Sequence, residues 1–480
     1  MNTRTVRRVL GAISIVIGIA MLPPAILSFG VHTGHTWAFL VTALIALVLG
    51  LAGLATSRGE MVMKTRDGFA IVTFGWIGAA LLGAIPYVLA GVCGPVDAIF
   101  ESMSGFTTTG SSVIADVESL PAGILLWRSL TQWIGGLGIV VLSIAVLPLL
   151  GIGGMQLFKA EMPGPTTDRM YPRIRTAATT LWGVYVGLTL LEVIFLLFGG
   201  MGLLDAVCHA FCTVSTGGFS TRNASVGSFQ SNYIETVIAV FMFLSGINFA
   251  LYLSLLRLRA KRALHDEEIR LYVVLAVVSI AFLSWTLIAH SGFTWTGATH
   301  QAAFQVVSIL TTTGFGTSDF HVWSEDAQLV LFCLMFLGAC AGSTSGGIKL
   351  IRIIVLAKHS LSLATKQLHP RAVQKIRFSG SVVPEEVILR VLGFFMLYIF
   401  FFLSVALIVS AMGVDIDTAL GASIATLSNI GPGIGEVGPA STYAAIPSAA
   451  KILLAFNMLL GRLELYTVLV ILTPIFWRRS

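Results

Sequence analysis

Charge is what this sequence has least of. Of its 480 residues, 11% are Asp, Glu, Lys or Arg, where a soluble chain carries about a quarter. That deficit excludes a soluble enzyme, a secreted disulfide scaffold and a disordered protein. Cysteine is scarce as well. Cys93, Cys208, Cys212, Cys333 and Cys340 lie mostly inside apolar runs, with neither the pattern of a disulfide framework nor the spacing of a zinc site. What remains is apolar: 56% of residues are hydrophobic, in repeated runs of about 20, the length that crosses a bilayer. The 49 glycines fit too, since Gly is more frequent in transmembrane helices than in soluble ones. The chain therefore reads as an all-α polytopic protein whose solvent is the lipid bilayer. Its net charge of +6 follows from membrane topology and implies no nucleic acid.

Except for Arg128, Arg222, Lys451 and Arg462, every Lys and Arg falls in one of six clusters, at 4–8, 58–66, 159–175, 257–270, 349–390 and 478–479. Positive residues beside spans mark the cytoplasmic side, so these clusters and both termini are expected to face the cytoplasm. The other side carries mostly acids, among them Asp97, Glu101, Asp116, Glu118, Asp205, Glu235 and Glu436. Most read as solvated loop residues, which together would raise the cation concentration at an outer mouth.

The first two clusters enclose apolar runs at 9–29 and 37–56, an out-and-back hairpin. No small-residue cleavage pattern follows the first run, which reads as a retained span rather than a signal peptide. Each later interval holds two long apolar runs with a shorter segment between them, as at 69–92, 97–109 and 124–150. If all three crossed the membrane, successive basic clusters would alternate sides. The middle segment must enter and leave on one side, as a re-entrant half-helix. Non-helical backbone at that depth is tolerated only beside a water-filled cavity. The expected organisation is a two-helix hairpin at 1–60 and four repeats at 61–165, 166–262, 263–380 and 381–480.

The middle segments are copies of one another: AIFESMSGFTTTGSS from Ala98, AVCHAFCTVSTGGFS from Ala206, AAFQVVSILTTTGFG from Ala302 and ALGASIATLSNIGPG from Ala419. Aligned on Gly110, Gly218, Gly314 and Gly431, they share an Ala twelve residues upstream and a hydroxyl three upstream (Thr107, Ser215, Thr311, Ser428). Aligning the second copy on Gly217 loses both coincidences. A half-helix of about 10 residues reaches only part-way through the hydrocarbon at 1.5 Å per residue. The chain then returns extended, and Gly allows the turn. Four such turns around an axis would form a ring of carbonyls able to replace the hydration shell of K⁺, with the negative ends of the half-helices directed at it. The candidate K⁺ filter is Thr107, Thr108, Thr109 and Gly110; Ser215, Thr216, Gly217 and Gly218; Thr311, Thr312, Thr313 and Gly314; and Ser428, Asn429, Ile430 and Gly431. The competing reading is glycine at ordinary helix ends in a transporter of another type.

At these residues the chain resembles the Trk/Ktr/HKT superfamily of potassium transporters, and most closely its bacterial TrkH-type subunits. The matching strings are TTTGSS (107–112), STGGFSTRN (215–223), TTTGFGT (311–317), SNIGPGIG (428–435), WIGGLGIVV (133–141) and CAGSTSGGIKLIR (340–352). The resemblance covers essentially the whole chain. It implies four M1–P–M2 (K⁺-channel-like) repeats around a central pore plus an N-terminal hairpin, in the bacterial inner membrane. It further implies K⁺ as the transported ion, a homodimer, and a separate cytoplasmic TrkA-type nucleotide-binding regulatory subunit. This chain carries no such domain, because GPGIGE (431–436) lacks the flanking strand and helix of a phosphate-binding fingerprint. Members with Ser at the first filter glycine tend to pass Na⁺; Gly at all four positions favours K⁺.

Two features beneath the filter suggest a gate. AGSTSGG (341–347) interrupts an apolar run with residues that cannot make a robust helix, and a loop at membrane depth must line a cavity. Gly342, Ser343, Thr344, Ser345, Gly346 and Gly347 are the candidate gating loop, where the family has its own; small residues for close helix packing are the alternative. Lys349 and Arg352 just after it could couple the loop to a cytoplasmic partner. Arg462 lies mid-span in the last apolar run, read as a single helix, where a lone Arg costs about 2.5–3.5 kcal/mol on insertion scales. In the family the matching Arg restricts the ion path. The alternatives are pairing with Glu464 or snorkelling to a surface.

The remaining candidates read more plainly. Cys208, His209 and Cys212 lack an evident fourth ligand and read as a packed helix. Lys451 reads as an interfacial anchor. Arg222 either pairs with an outer acid and braces the filter or does not, and Glu192 needs a partner that the sequence does not name. No covalently bound cofactor and no catalytic constellation is expected, since the histidines are scattered. That argues against the rival class, a membrane-embedded enzyme acting on a lipid-linked substrate. The nearer alternative is a Na⁺-permeable member of the same superfamily.

Overall fold

Helix caps and small residues set the N-terminal hairpin. The computed structural model describes residues 1–32, 34–57, 64–145, 170–256, 266–369 and 375–478. Asn2 caps α1 (Thr3–Ala20), its side chain accepting from the N–H groups of Arg4 and Thr5. Pro23 and Pro24 open α2 (Leu22–Gly30), where a missing N–H costs little. α3 (Thr36–Ala55) returns antiparallel to α1. Gly11 meets the backbone of Gly50 and Gly53, so close that a side chain at any of the three would collide with the other helix.

Four units of long helix, short helix and second long segment follow. The first is α4 (Thr65–Leu89), α5 (Pro95–Phe106) and α6 (Ala122–Ala145). The second is α7 (Met170–Phe198), α8 (Leu203–Val214) and a broken pair, α9 (Asn232–Ser245) with α10 (Phe249–Leu256). The third is α11 (Glu267–Ser291), α12 (Trp295–Leu310) and another broken pair, α13 (Glu325–Met335) with α14 (Leu350–Leu368). The fourth is α15 (Glu385–Ala411), α16 (Ile416–Leu427) and α17 (Ser448–Arg462) with α18 (Tyr466–Leu472), before a last short helix, α19 (Pro474–Trp477). A two-stranded hairpin, β1 (Arg377–Phe378) with β2 (Ser381–Val382), precedes α15.

Among the described residues, six helices are long and apolar enough to cross a membrane, or seven if a bent pair counts as one span. The short helices are buried within the molecule while the long ones expose Leu, Ile and Phe outward. That inverts the soluble pattern and suits a lipid-facing shell.

Two readings of the sequence are corrected here. The final apolar run is not one helix with Arg462 at its middle. Arg462 ends α17, and α18 leaves it at a bend of 118°, with Glu464 (φ 60°) and Leu465 (φ 51°) in the left-handed region. The second long segment of the second unit also breaks, at 246–248, where α9 gives way to α10. Most of the basic clusters at 159–175 and 257–270, parts of those at 58–66, 349–390 and 478–479, the end of the 124–150 run and the repeat boundaries at 165 and 262 lie outside the described residues.

Candidate functional site

The four short helices end alike. Thr107, Ser215, Thr311 and Ser428 are the C-cap residues of α5, α8, α12 and α16. The next residue turns left-handed each time: Thr108 (φ 52°), Thr216 (54°), Thr312 (56°) and Asn429 (56°). The residue after it donates its N–H back into the helix, Thr109 to Ser104 at 2.8 Å, Gly217 to Cys212 at 2.7 Å, Thr313 to Ser308 at 2.9 Å and Ile430 to Ala425 at 2.9 Å. This is the Schellman closure, which normally places Gly or Asn at the left-handed position. Three copies hold a threonine there, and such strain persists only where surroundings enforce it. The chain then passes a glycine at positive φ: Gly110 (86°), Gly218 (79°), Gly314 (80°) and Gly431 (104°). Gly217 does not share that conformation.

These glycines are neighbours in space. A methyl group added to Gly110 would collide with the carbonyl oxygen of Gly217, one on Gly218 with that of Thr313, one on Gly314 with that of Ile430, and one on Gly431 with that of Thr109. The contacts run from first copy to second, second to third, third to fourth and fourth back to first. The four turns therefore close into a ring with backbone carbonyls at each junction. All four glycines line one cavity of about 100 Å³.

The opposite end of the ring rests on the loop between α13 and α14. Gly346 donates its N–H to the Thr312 hydroxyl (2.6 Å), and Thr344 donates its hydroxyl to the Val214 carbonyl (3.1 Å). Arg462, buried at the break of the fourth unit, donates Nη1 to the Thr344 carbonyl (2.7 Å). The break of the second unit docks on the same loop, with Cys340 donating to the Gly246 carbonyl (3.0 Å) and Phe249 to that of Gly342 (3.1 Å). Glu268, at the start of α11, accepts from the N–H groups of Ala341 (2.8 Å) and Ile351 (3.0 Å), bracing both arms of the loop. Three broken helices thus converge on one loop under the ring.

With that geometry in view, the comparisons with known proteins decide the family. The sequence profile described as "TrkH: Cation transport protein" matches residues 35–477. The chain belongs to the TrkH family. It is 40% identical over 484 residues to the Trk system potassium uptake protein TrkH of Salmonella typhimurium, covering all of both chains. It is 36% identical to the Trk system potassium uptake protein TrkG of Escherichia coli, again over the full length of both. The crystal structure of the potassium transporter TrkH from Vibrio parahaemolyticus superposes with a TM-score of 0.92 at 37% identity, covering both chains completely. The TrkH family is one of membrane transporters and not of enzymes.

Several side chains of this TrkH-family protein lie elsewhere than their sequence context suggests. Among the described residues no acid lines the cavity above the ring; its charged lining residues are Arg128 and Arg222. Each has an acidic partner. Buried Arg128 donates to buried Glu101 (2.9 Å) and to the Ser220 carbonyl (3.1 Å), and lies 4.2 Å over the Phe219 ring. Arg222 pairs with the outer acid Asp205 at 2.8 Å. Acids stand farther out, where Asn223 donates to Asp116 (2.9 Å) and so holds that exposed carboxyl below its ordinary pKa.

Lys451 is no interfacial anchor. It is buried, paired with Asp97 at 2.7 Å and bonded to the Ala444 carbonyl, tying the fourth unit to the first. Glu464 does not pair with Arg462; it takes Arg352, which also lies 4.0 Å over Phe394. Lys349 turns inward and donates to Ser345. Lys349 and Arg352 are therefore engaged within the loop's own surroundings rather than presented to a partner.

Cys208 and Cys212 are buried free thiols, and His209 is fully bonded to the Asp205 carbonyl (2.8 Å) and Ser220 hydroxyl (2.9 Å). Among the described residues no cluster of His, Cys, Asp and Glu could hold a metal ion. Glu192 is buried beside the Thr213 hydroxyl, with no well-formed hydrogen bond to either carboxylate oxygen among the described residues. Sequence reasoning missed Gln132, Glu268 and Tyr443, whose hydroxyl donates to the Gly431 carbonyl (2.9 Å). Each acts across a sequence distance that carries no periodic signal.

Proposed function

We propose that this protein carries K⁺ into the cytoplasm across a bacterial inner membrane, through a filter made of residues 107–110, 215–218, 311–314 and 428–431. The observation that carries this reading is the closed ring of four left-handed glycine turns, each packed on its neighbour's carbonyl. Backbone carbonyls so arranged can replace the water around a K⁺ ion. Its relatives are potassium uptake proteins of the Trk system, which supports the same cargo. Each unit would be an M1–P–M2 repeat, with α5, α8, α12 and α16 as the P helices. Their carboxyl ends carry partial negative charge, so four of them pointing at one site favour a cation. Ions enter past Arg128 and Arg222, whose charges Glu101 and Asp205 offset.

Below the filter, residues 342–347 close the path as a gate, and Arg462 holds that gate while adding a fixed positive charge near the axis. Opening requires the loop to leave Thr312 and Val214. An inside-negative potential contributes about 2.3 kcal/mol per charge per 100 mV, enough to drive inward flux. Both termini face the cytoplasm in this reading, the protein works as a homodimer, and a TrkA-type nucleotide-binding subunit controls the gate. No cofactor is bound by this chain itself. The test is growth of bacteria stripped of their own K⁺ uptake systems on low-K⁺ medium. Expression of this chain restores growth; membrane-inserted protein that leaves growth unrescued overturns the proposal.

A further inference from the structure

The second filter segment is the odd one out. At the position just before the filter glycine, the other copies have Thr109, Thr313 and Ile430, while this copy has Gly217. In the first and third copies that side chain is a staple: Thr109 bonds Thr107, and Thr313 bonds Thr311, each hydroxyl to hydroxyl at 2.7 Å. Gly217 can make no such bond. Its φ is not left-handed, so backbone conformation does not require glycine there. Space does: a methyl group on Gly217 would run into the amide group of Gln132.

Gln132 comes from α6, in the neighbouring unit, and is fully buried. Its Nε2 donates to the Gly217 carbonyl at 2.6 Å, and its Oε1 accepts from the Phe219 N–H at 3.1 Å. The amide thus bridges the two sides of Gly218, the filter glycine. Both bonds fix its orientation, since a carbonyl needs a donor and an N–H an acceptor. The Gly217 carbonyl is also the one packed on Gly110 in the ring.

We infer that Gln132 is a positioning residue for ion selectivity, a side chain lent by the first unit to replace the staple that the second filter segment lacks. This rests on the filter reading above. Without the amide, the 217–219 turn loses two hydrogen bonds and gains room, so the ring accommodates the smaller, more strongly hydrated Na⁺ more readily. The two positions form an exchangeable pair: a large side chain at 132 demands glycine at 217, and a small one leaves room for the threonine staple used in the first and third copies.

The experiment is ⁸⁶Rb⁺ uptake into proteoliposomes, competed by K⁺ or Na⁺, for the wild type, Gln132→Ala, Gly217→Thr and the double variant. Wild type shows preferential block by K⁺. Gln132→Ala loses about ten-fold of that preference, on the scale of one or two hydrogen bonds; Gly217→Thr alone fails by collision; the double variant recovers most of the preference. A selective wild type with an unchanged Gln132→Ala overturns the inference and leaves the filter reading intact. A wild type that does not prefer K⁺ overturns both. Should Gln132→Ala not yield monodisperse protein, Gln132→Met keeps most of the side-chain length and removes both hydrogen bonds; unchanged selectivity there overturns the inference equally.

Discussion

Arg462 donates a hydrogen bond from Nη1 to the carbonyl of Thr344, 118 residues away in sequence, at 2.7 Å. The loop under the ring is therefore held by a buried guanidinium whose Nε and Nη2 bond no other group of the described residues, and in the proposed function that hold keeps the gate closed. A bond with a charged donor contributes about 1.5–3 kcal/mol. Arg462→Ala should therefore shift the loop toward release and raise Rb⁺ uptake by about ten-fold or more. Uptake that stays at the wild-type rate in folded Arg462→Ala would remove Arg462 from the gate.

Glu268 provides the second hold on that loop, accepting from Ala341 and Ile351. Glu268→Ala leaves both N–H groups without their side-chain acceptor. Amide hydrogen exchange across 339–351 should accelerate by about ten-fold or more, as local opening becomes easier, and basal uptake should rise with it. Exchange unchanged at those amides would show the loop to be held elsewhere.

The four ring glycines are constrained twice, by positive φ and by a neighbour's carbonyl. At Gly218 a side chain meets the Thr313 carbonyl in a backbone conformation that non-glycine residues rarely adopt. Gly218→Ser should widen or distort the junction between the second and third turns and bring Na⁺ permeability close to that of K⁺. Unaltered permeability ratios in reconstituted protein would count against this position as part of the filter.

Lys451 and Asp97 join the fourth unit to the first across 354 residues of sequence. Asp97 is partly exposed, so breaking the pair should cost about 1–3 kcal/mol, less than for a fully buried pair. Lys451→Met should lower the thermal midpoint in detergent by a few degrees. Combining it with Asp97→Asn should cost less than the two single changes added together. Additive losses would mean that the two residues act independently.

How much of this was legible in the sequence depends on the distance over which each feature is determined. The short helices and their glycine turns are encoded locally by a hydroxyl, a glycine and an alanine at fixed spacing, and each copy has its turn where that spacing puts it. The loop at 341–347 declares itself by composition. The other two breaks do not. The run around Arg462 is apolar on both sides, and its bend depends on Glu464 meeting Arg352 from α14. The break at 246–248 depends on Gly246 fitting against the Tyr272 hydroxyl and on bonds to Cys340 and Gly342. Lys451 looked like an interfacial residue because its partner, Asp97, lies in another unit. Arg128 and Arg222 likewise hid a mouth whose positive charges are neutralised from behind.

The property proposed for the ring is selection of K⁺ by its carbonyls. It is tested most directly by ⁸⁶Rb⁺ uptake into proteoliposomes holding Arg462→Ala, the variant with the latch released, so that a closed gate does not mask the filter. External K⁺ should block uptake while an equal concentration of Na⁺ leaves it nearly unchanged. Equal block by Na⁺ and K⁺ would contradict the account.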